Sequence, residues 1–329
     1  MTERSRDPHE SSVAHNSGQI SQARQPNTVG GMITGLVRTM RPHQWTKNGL
    51  IYAGIVFDGQ LFVSASLIRV TIAFFMLCLI SSTIYIINDI VDVERDRVHP
   101  RKRLRAIPSG QLPIPAAIVS AAVLGIGTLI GAALLEWRFA VVLVIYLAIH
   151  LLYSFYLKHI VILDLLAVTS GFVLRVLAGV VVIQVAAFSP WLYAASGLLA
   201  LFLVIGKRRQ ELIEMGSNAG IVRPSLAQYN LPLLDEMLRM VITGTFLTYL
   251  FYTIESPSVL LAGTKLGLVT VPFVLYALFR YMYLIHVRGE GSAPDEVLLK
   301  DRPLQVAIVL WGLSFMIILY VLPGVLTTP

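Results

Sequence analysis

Ile86-Ile87-Asn88-Asp89-Ile90-Val91-Asp92-Val93-Glu94-Arg95-Asp96-Arg97 stands where a long apolar run gives way to a basic loop, Arg97 to Arg105. Read as a helix, it places Asp89, Asp92 and Asp96 at i, i+3 and i+7, so the three carboxylates share one face. Like charges at that spacing repel one another. A divalent cation relieves the repulsion, and hard carboxylate oxygens suit Mg2+, which keeps some waters and bridges to the phosphate oxygens of a substrate. The plainer account is an exposed acidic helix end, balanced by Arg95, Arg97 and the arginines that follow. At the end of a membrane helix, however, ionisable groups are costly and mark function, which favours the metal.

Composition supports a membrane setting. Of 329 residues, 56% are hydrophobic and only 14% charged, whereas soluble domains carry about a quarter charged residues. The predicted class is an all-α polytopic membrane protein. Cys78 is the single cysteine, so no internal disulfide can form. A net charge of +7 does not point to nucleic acid, because in a membrane protein the placement of the positives matters more than their sum. Runs long enough to cross a bilayer recur at 47–64, 67–88, 114–135, 138–157, 161–183, 190–206, 237–255, 266–287 and 303–323, which predicts about nine transmembrane helices. The first is the weakest, since Asp58 and Gln60 interrupt it.

Residues 1–29 are polar and without apolar periodicity, and read as a disordered cytoplasmic tail. Residues 30–329 form the transmembrane domain. It opens with a short amphipathic helix, because Met32, Ile33, Leu36, Val37 and Met40 recur at helical spacing; such a helix lies on the membrane surface. Lysines and arginines gather before the first span and after each even-numbered one. That asymmetry places the N-terminus and the aspartate motif in the cytoplasm and the C-terminus outside. The expected home is the plasma membrane, with the active site facing the cytoplasm.

Several basic and aromatic residues could carry chemistry. Arg101, Lys102, Arg103 and Arg105 lie next to the acidic motif and could hold an anionic substrate such as a phosphate. The same charges would also follow from the positive-inside rule or from lipid headgroup binding. Tyr153 and Lys158, at the end of the fourth span, are either substrate contacts or interfacial anchors. In the fifth span Asp164 and Arg175 are eleven residues apart. That is about three turns, or roughly 16 Å along one face, and it leaves Arg175 near mid-membrane, where it either forms a structural ion pair or lines the site. Gly206-Lys207-Arg208-Arg209-Gln210-Glu211 ends the sixth span. A Lys207–Glu211 pair at i, i+4 is possible there. No second acidic cluster accompanies these residues, and bare cations suit a phosphate that brings no metal of its own.

These segments carry a resemblance. Asn88-Asp89-x-x-Asp92-x-x-x-Asp96, followed by the basic loop and Ser109-Gly110, resembles the first aspartate-rich motif of the UbiA superfamily of intramembrane prenyltransferases. Arg41-Pro42-His43-Gln44-Trp45-Thr46-Lys47-Asn48, Tyr153-Ser154-Phe155-Tyr156-Leu157-Lys158, Gly171-Phe172-Val173-Leu174-Arg175 and Gly206-Lys207-Arg208 are similar to its decaprenyl-phosphate phosphoribosyltransferase branch. The resemblance implies Mg2+ held by Asp89, Asp92 and Asp96, with Asn88, Asp89, Asp92 and Lys207 as the catalytic residues. It implies phosphoribosyl diphosphate as donor, a polyprenyl phosphate lipid as acceptor, and a product feeding arabinan and cell-wall synthesis. Lys47, Arg101 and Lys102 would then serve the donor, and Arg175, Arg208 and Lys207 the lipid phosphate, with Asn48, Tyr153 and Lys158 as further substrate contacts. Self-association into a homo-oligomer is left open.

Two other readings stand beside this one. A quinone-type enzyme would join a prenyl diphosphate to an aromatic ring with the same fold and metal, but it would leave Lys207 and Arg208 without a phosphate to bind. A transporter or lipid carrier without chemistry would favour broken mid-membrane helices and internal repeats.

Overall fold

The structure, a computed structural model, describes residues 28–185, 189–216, 224–255, 264–290, 297–298 and 300–323. Nearly all of the expected tail, and the extreme C-terminus used to orient the chain, lie outside these residues. All described regular structure is helical. Thr28 caps α1 (Val29–Met40) by accepting from the Gly31 amide, and Arg41 ends it in the left-handed region at φ 53°. α1 covers the segment expected to be an amphipathic helix. Leu36 and Met40 pack against the 86–121 cluster, while Val29, Ile33 and Val37 stay exposed.

A 3-10 segment follows, Pro42–Tyr52, and leads into the short α2 (Ala53–Phe57). Then come α3 (Ser64–Val91), α4 (Val93–Val98), α5 (Ile114–Leu135), α6 (Trp137–Phe155), α7 (Leu163–Val182), α8 (Pro190–Met215) and α9 (Leu231–Glu255). The last two are α10 (Val271–Tyr283), continued by a π-helical turn Leu284–Arg288, and α11 (Arg302–Met316), continued by a second π turn Ile317–Val321. Among the described residues eight helices are long and apolar enough to cross a bilayer. The chain is a multi-pass membrane protein.

These eight match the expected spans from the second onward. The first expected span is realised differently, as the 3-10 segment and α2, beginning at Pro42 and ending at Phe57 rather than running 47–64. A 3-10 turn rises about 2.0 Å per residue against 1.5 Å for an α-helix, so the two pieces together reach about 30 Å, the thickness of the hydrocarbon core.

Close packing explains why this stretch needs glycine partners. A Cβ on Gly179 of α7 would fall 1.8 Å from the Ile51 carbonyl oxygen, and one on Gly54 would fall 3.0 Å from the Val180 nitrogen. The first segment and α7 therefore touch backbone to backbone. Gly179→Ala is expected to destabilise the fold by about 3 kcal/mol or more, because neither backbone is the flexible end of a side chain that could yield. Gly49→Ala, in the same segment but facing open space, should melt with the wild type. Thermal midpoints of the two variants in one detergent check this.

The far membrane face is closed by polar contacts. Arg69 donates to the terminal carbonyls Val182 (3.2 Å) and Leu135 (3.2 Å), capping α7 and α5. The Tyr320 hydroxyl in the last π turn donates to the carbonyls of Val56 (2.8 Å) and Ile55 (3.3 Å) and accepts from the Leu61 amide (3.3 Å).

Candidate functional site

Cys78, Ser81, Ser82, Tyr85 and Asp89 recur on α3 at three- and four-residue intervals, so a polar stripe runs down one face of an otherwise apolar helix. The 3-10 segment answers it in antiparallel order. Arg41 Nη2 donates to Asp89 Oδ1 (2.6 Å), Trp45 Nε1 to Ser82 Oγ (3.1 Å), Asn48 Nδ2 to Ser81 Oγ (3.4 Å) and Cys78 Sγ (3.3 Å), and Tyr52 to Thr71 Oγ1 (3.1 Å). The Arg41-to-Asn48 motif is thus the strip that seals the first segment onto α3. Lys47 lies half-buried within it.

At the inner end of this seam Arg175 Nε donates to Asn48 Oδ1 (2.8 Å), and its Nη2 donates to Tyr146 Oη (2.7 Å). The guanidinium also stacks over the Tyr146 and Phe172 rings. Arg175 is buried, and its partners here are neutral. Tyr85 connects this region to the aspartates, since Arg41 lies 4.9 Å over its ring and Tyr146 and Arg175 are within electrostatic reach of it. The polar column runs unbroken from Asp89 to mid-membrane.

The acidic motif does not sit on one continuous helix. α3 stops at Val91 and α4 starts at Val93, with Asp92 as the junction at φ −88° and ψ 7°. Asp89 and Asp96 are nonetheless brought together, both buried and both accepting from the same Arg105 nitrogen, at 3.2 and 2.6 Å. Lys102 Nζ is 3.7 Å from Asp96 Oδ1. Among the described residues no three His, Cys, Asp or Glu side chains are gathered as a ready metal cluster. The donor set still fits a hard cation. Two carboxylates converge on one positively charged nitrogen, and Asn88 Oδ1, from the residue preceding Asp89, is buried without a hydrogen-bond partner.

A cavity of about 210 Å³ opens above Asp89, walled by Arg38 and Arg41 from the end of α1 and by Arg101 and Arg105 from the loop. Sequence reasoning proposed Arg101 and Arg105 within the basic loop and missed Arg38 and Arg41 as walls of the same cavity. The signal was present in Arg41, four residues before Trp45 and seven before Asn48, in register with the α3 stripe.

Asp164 and Arg175 do not pair. Asp164 is fully buried and accepts from Arg208 Nε (3.3 Å), Ser225 Oγ (3.2 Å) and Tyr229 Oη (2.7 Å). Burial, and then the bond to Asp164, push the Tyr229 phenol upward, so it stays a donor; it accepts in turn from the Ile162 amide (2.7 Å). Arg208 also donates to Glu211 (2.7 Å), which replaces the expected Lys207–Glu211 pair. The Arg208 fork is therefore engaged by carboxylates and buried, with Tyr153 within electrostatic reach of it. Carboxylates thus hold the fork that the sequence reading assigned to a lipid phosphate. Lys158 lies half-buried in the turn Leu157–His159.

Lys207 has a different outlook. An apolar cavity of about 370 Å³ lies between the first segment and α7 to α11, lined by Leu50, Phe57, Leu199, Leu203, Tyr249, Tyr281 and Trp311 among others. Ser196, Leu199 and Leu203 of α8 face it, and Lys207 is the next residue on that face. Just before it, Gly206 lets α8 close onto α10, since a Cβ there would meet Ile285 at 2.9 Å. Lys207 makes no ion pair with a described residue and lies one turn past Leu203, the last residue of α8 that lines the cavity.

Comparison with known proteins finds relatives over most of the chain. The model of the UbiA prenyltransferase family matches residues 50–299. A decaprenyl-phosphate phosphoribosyltransferase of Corynebacterium glutamicum is 33% identical, over 96% of this chain and 94% of its own. One from Mycobacterium tuberculosis is 33% identical, over 85% of this chain and 92% of its own. Among solved structures, a UbiA homolog from Archaeoglobus fulgidus bound to DMAPP and Mg2+ superposes with a TM-score of 0.66 at 17% identity, over 87% of this chain and 99% of that one.

Proposed function

Because the chain belongs to the UbiA prenyltransferase family, we propose that it transfers the 5-phosphoribosyl group of phosphoribosyl diphosphate to a polyprenyl phosphate such as decaprenyl phosphate. The product, polyprenylphosphoryl-5-phosphoribose, would serve arabinan and cell-wall synthesis, and the relatives named for this reaction support it. The observation that carries the reading is the apolar cavity of about 370 Å³, with Lys207 one helical turn beyond Leu203 on α8. A polyprenyl tail fills such a cavity, and its phosphate meets the cation at the mouth. An aromatic acceptor would leave that cation without a task.

Asp89 and Asp96, with Asp92 and the unpartnered Asn88 oxygen, would hold the metal, a divalent cation that we take to be Mg2+. When bound, it neutralises the diphosphate as negative charge develops on leaving. The chain's own cations act beside it. Arg105 and Lys102 exchange their carboxylate partners for donor phosphate oxygens, and Arg41 stays on Asp89 and fixes its direction. Lys207 orients the lipid phosphate toward ribose carbon 1. The bond from that carbon to the diphosphate breaks and one to the lipid phosphate forms on the opposite face. The nucleophile is already an anion, so the site needs no strong general base. Arg175, held by Asn48 and Tyr146, keeps a positive potential at the inner end of the polar column. We place the enzyme in the plasma membrane with this basic end in the cytoplasm, where the soluble donor enters.

The deciding experiment supplies purified protein with polyprenyl phosphate and either labelled phosphoribosyl diphosphate or labelled prenyl diphosphate. Label from the first should enter lipid, and entry only from the second, into an aromatic acceptor, would return the protein to prenyl transfer. Within the phosphoribosyl reading, Lys207→Ala should raise the KM for polyprenyl phosphate about ten- to a hundredfold, the weight of one charge-assisted phosphate contact, and leave that for the donor nearly unchanged. A selective rise in the donor KM would invert the assignment.

A further inference from the structure

The cavity above Asp89 has more positive charge than its aspartate can balance. Four guanidinium groups, Arg38, Arg41, Arg101 and Arg105, line about 210 Å³ with one carboxylate among them. That carboxylate is already bonded to Arg41 and Arg105. Arg38 and Arg101 form no ion pair with any described residue, yet the fold brings them together from α1 and the 101–105 loop. α1 is held there by packing as well as by charge, since a Cβ on Gly35 would lie 3.3 Å from Gln111 and 3.4 Å from Ala106. Converging guanidinium groups repel each other unless an anion lies between them, and their planar forks suit phosphate oxygens.

Resting on the transferase reading above, we propose that Arg38 and Arg101 form a subsite for a phosphate monoester, the 5-phosphate of the donor, separate from the place of its diphosphate. Carboxylates decide between the two phosphates. A metal-bridged diphosphate needs them, and they lie on the Asp89–Asp96 side. Arg41 and Arg105 take up Asp89, whereas Arg38 and Arg101 pair with no described carboxylate, so these two take a dianion that arrives without a metal. The same wall selects the donor. A prenyl diphosphate carries hydrocarbon where phosphoribosyl diphosphate carries its second phosphate, and hydrocarbon would strip water from these cations and give nothing back.

The test uses full-length protein in nanodiscs of neutral phosphatidylcholine, with ribose 5-phosphate as one probe and diphosphate with Mg2+ as the other. Arg38→Ala and Arg101→Ala should each weaken ribose 5-phosphate about ten- to a hundredfold and leave Mg-diphosphate within about twofold. Arg101→Lys should restore part of the loss, because charge returns without the fork. Both side chains are exposed, so the variants should elute as the wild type does on size exclusion. Equal weakening of the two probes would make this the diphosphate site, and no weakening of either would mean that it binds no phosphate. If anionic phosphatidylglycerol nanodiscs abolish ribose 5-phosphate binding, the arginines hold a lipid headgroup and the proposal fails. A wild type that binds ribose 5-phosphate but transfers no phosphoribosyl label would overturn the transferase reading. One that transfers label while both arginine variants keep full ribose 5-phosphate affinity would overturn the subsite alone.

Discussion

Asp89→Asn should lower turnover by about two to three orders of magnitude, the scale seen when one preorganised group facing a developing charge is removed. The amide is isosteric and can still accept from Arg41 and Arg105, whose contacts at 2.6 and 3.2 Å fix the side chain. Folding should therefore survive. What is lost is the negative charge that two arginines share and that the proposed metal would need, so the Mg2+ concentration for half-maximal rate should rise as well. Glu94 gives the contrast. It is exposed and pairs only with Arg97, three residues away, and surface pairs of that kind contribute little. Glu94→Gln should keep nearly full activity. Equal losses in the two variants, measured as kcat across an Mg2+ titration, would show that burial within the arginine group is not what makes Asp89 matter.

Asp164→Ala should act on stability. Asp164 is 0% exposed and holds Arg208, Ser225 and Tyr229. Removing one partner of a buried ion pair costs about 3–5 kcal/mol, because the remaining charge is left in low dielectric. Here Glu211 still faces Arg208, which sets the expectation at the lower end of that range. The double variant Asp164→Leu with Arg208→Leu removes both charges and should recover much of the loss. If Asp164→Ala melts in detergent with the wild type, or if the double variant melts below it, the buried pair is not what joins α7 to α8. Lipid-phosphate affinity should be intact in every variant of this pair that folds, since Lys207 is the residue on the cavity side.

The two variants mark what could be read in the chain and what could not. Apolar runs announced α3 and α5 to α11 because each buries its own backbone hydrogen bonds, whatever its neighbours do. The first segment was placed too late because its course follows the α7 backbone at Gly179 and the α3 polar stripe, both far away in the chain. The aspartates and the basic loop were legible as motifs, whereas the contact of one Arg105 nitrogen with both Asp89 and Asp96 depends on the fold. The partners of Arg208 could not be read from the chain alone. This residue stands next to Lys207, but the two point to different faces of α8, and the carboxylate that claims Arg208 is 44 residues upstream.

The Tyr320 hydroxyl also bears on how this protein is made. The end of α2 receives that hydrogen bond from a residue 264 positions downstream. At roughly 5–20 residues per second of synthesis, the opening segment waits about 13–50 s in the membrane before its partner emerges. During that interval its carbonyls have no tyrosine to bond, and the seam with α7 must hold the segment in place from the moment Gly179 arrives. Assembly of the bundle is thus ordered by the ribosome, with the first element of the chain among the last to be completed.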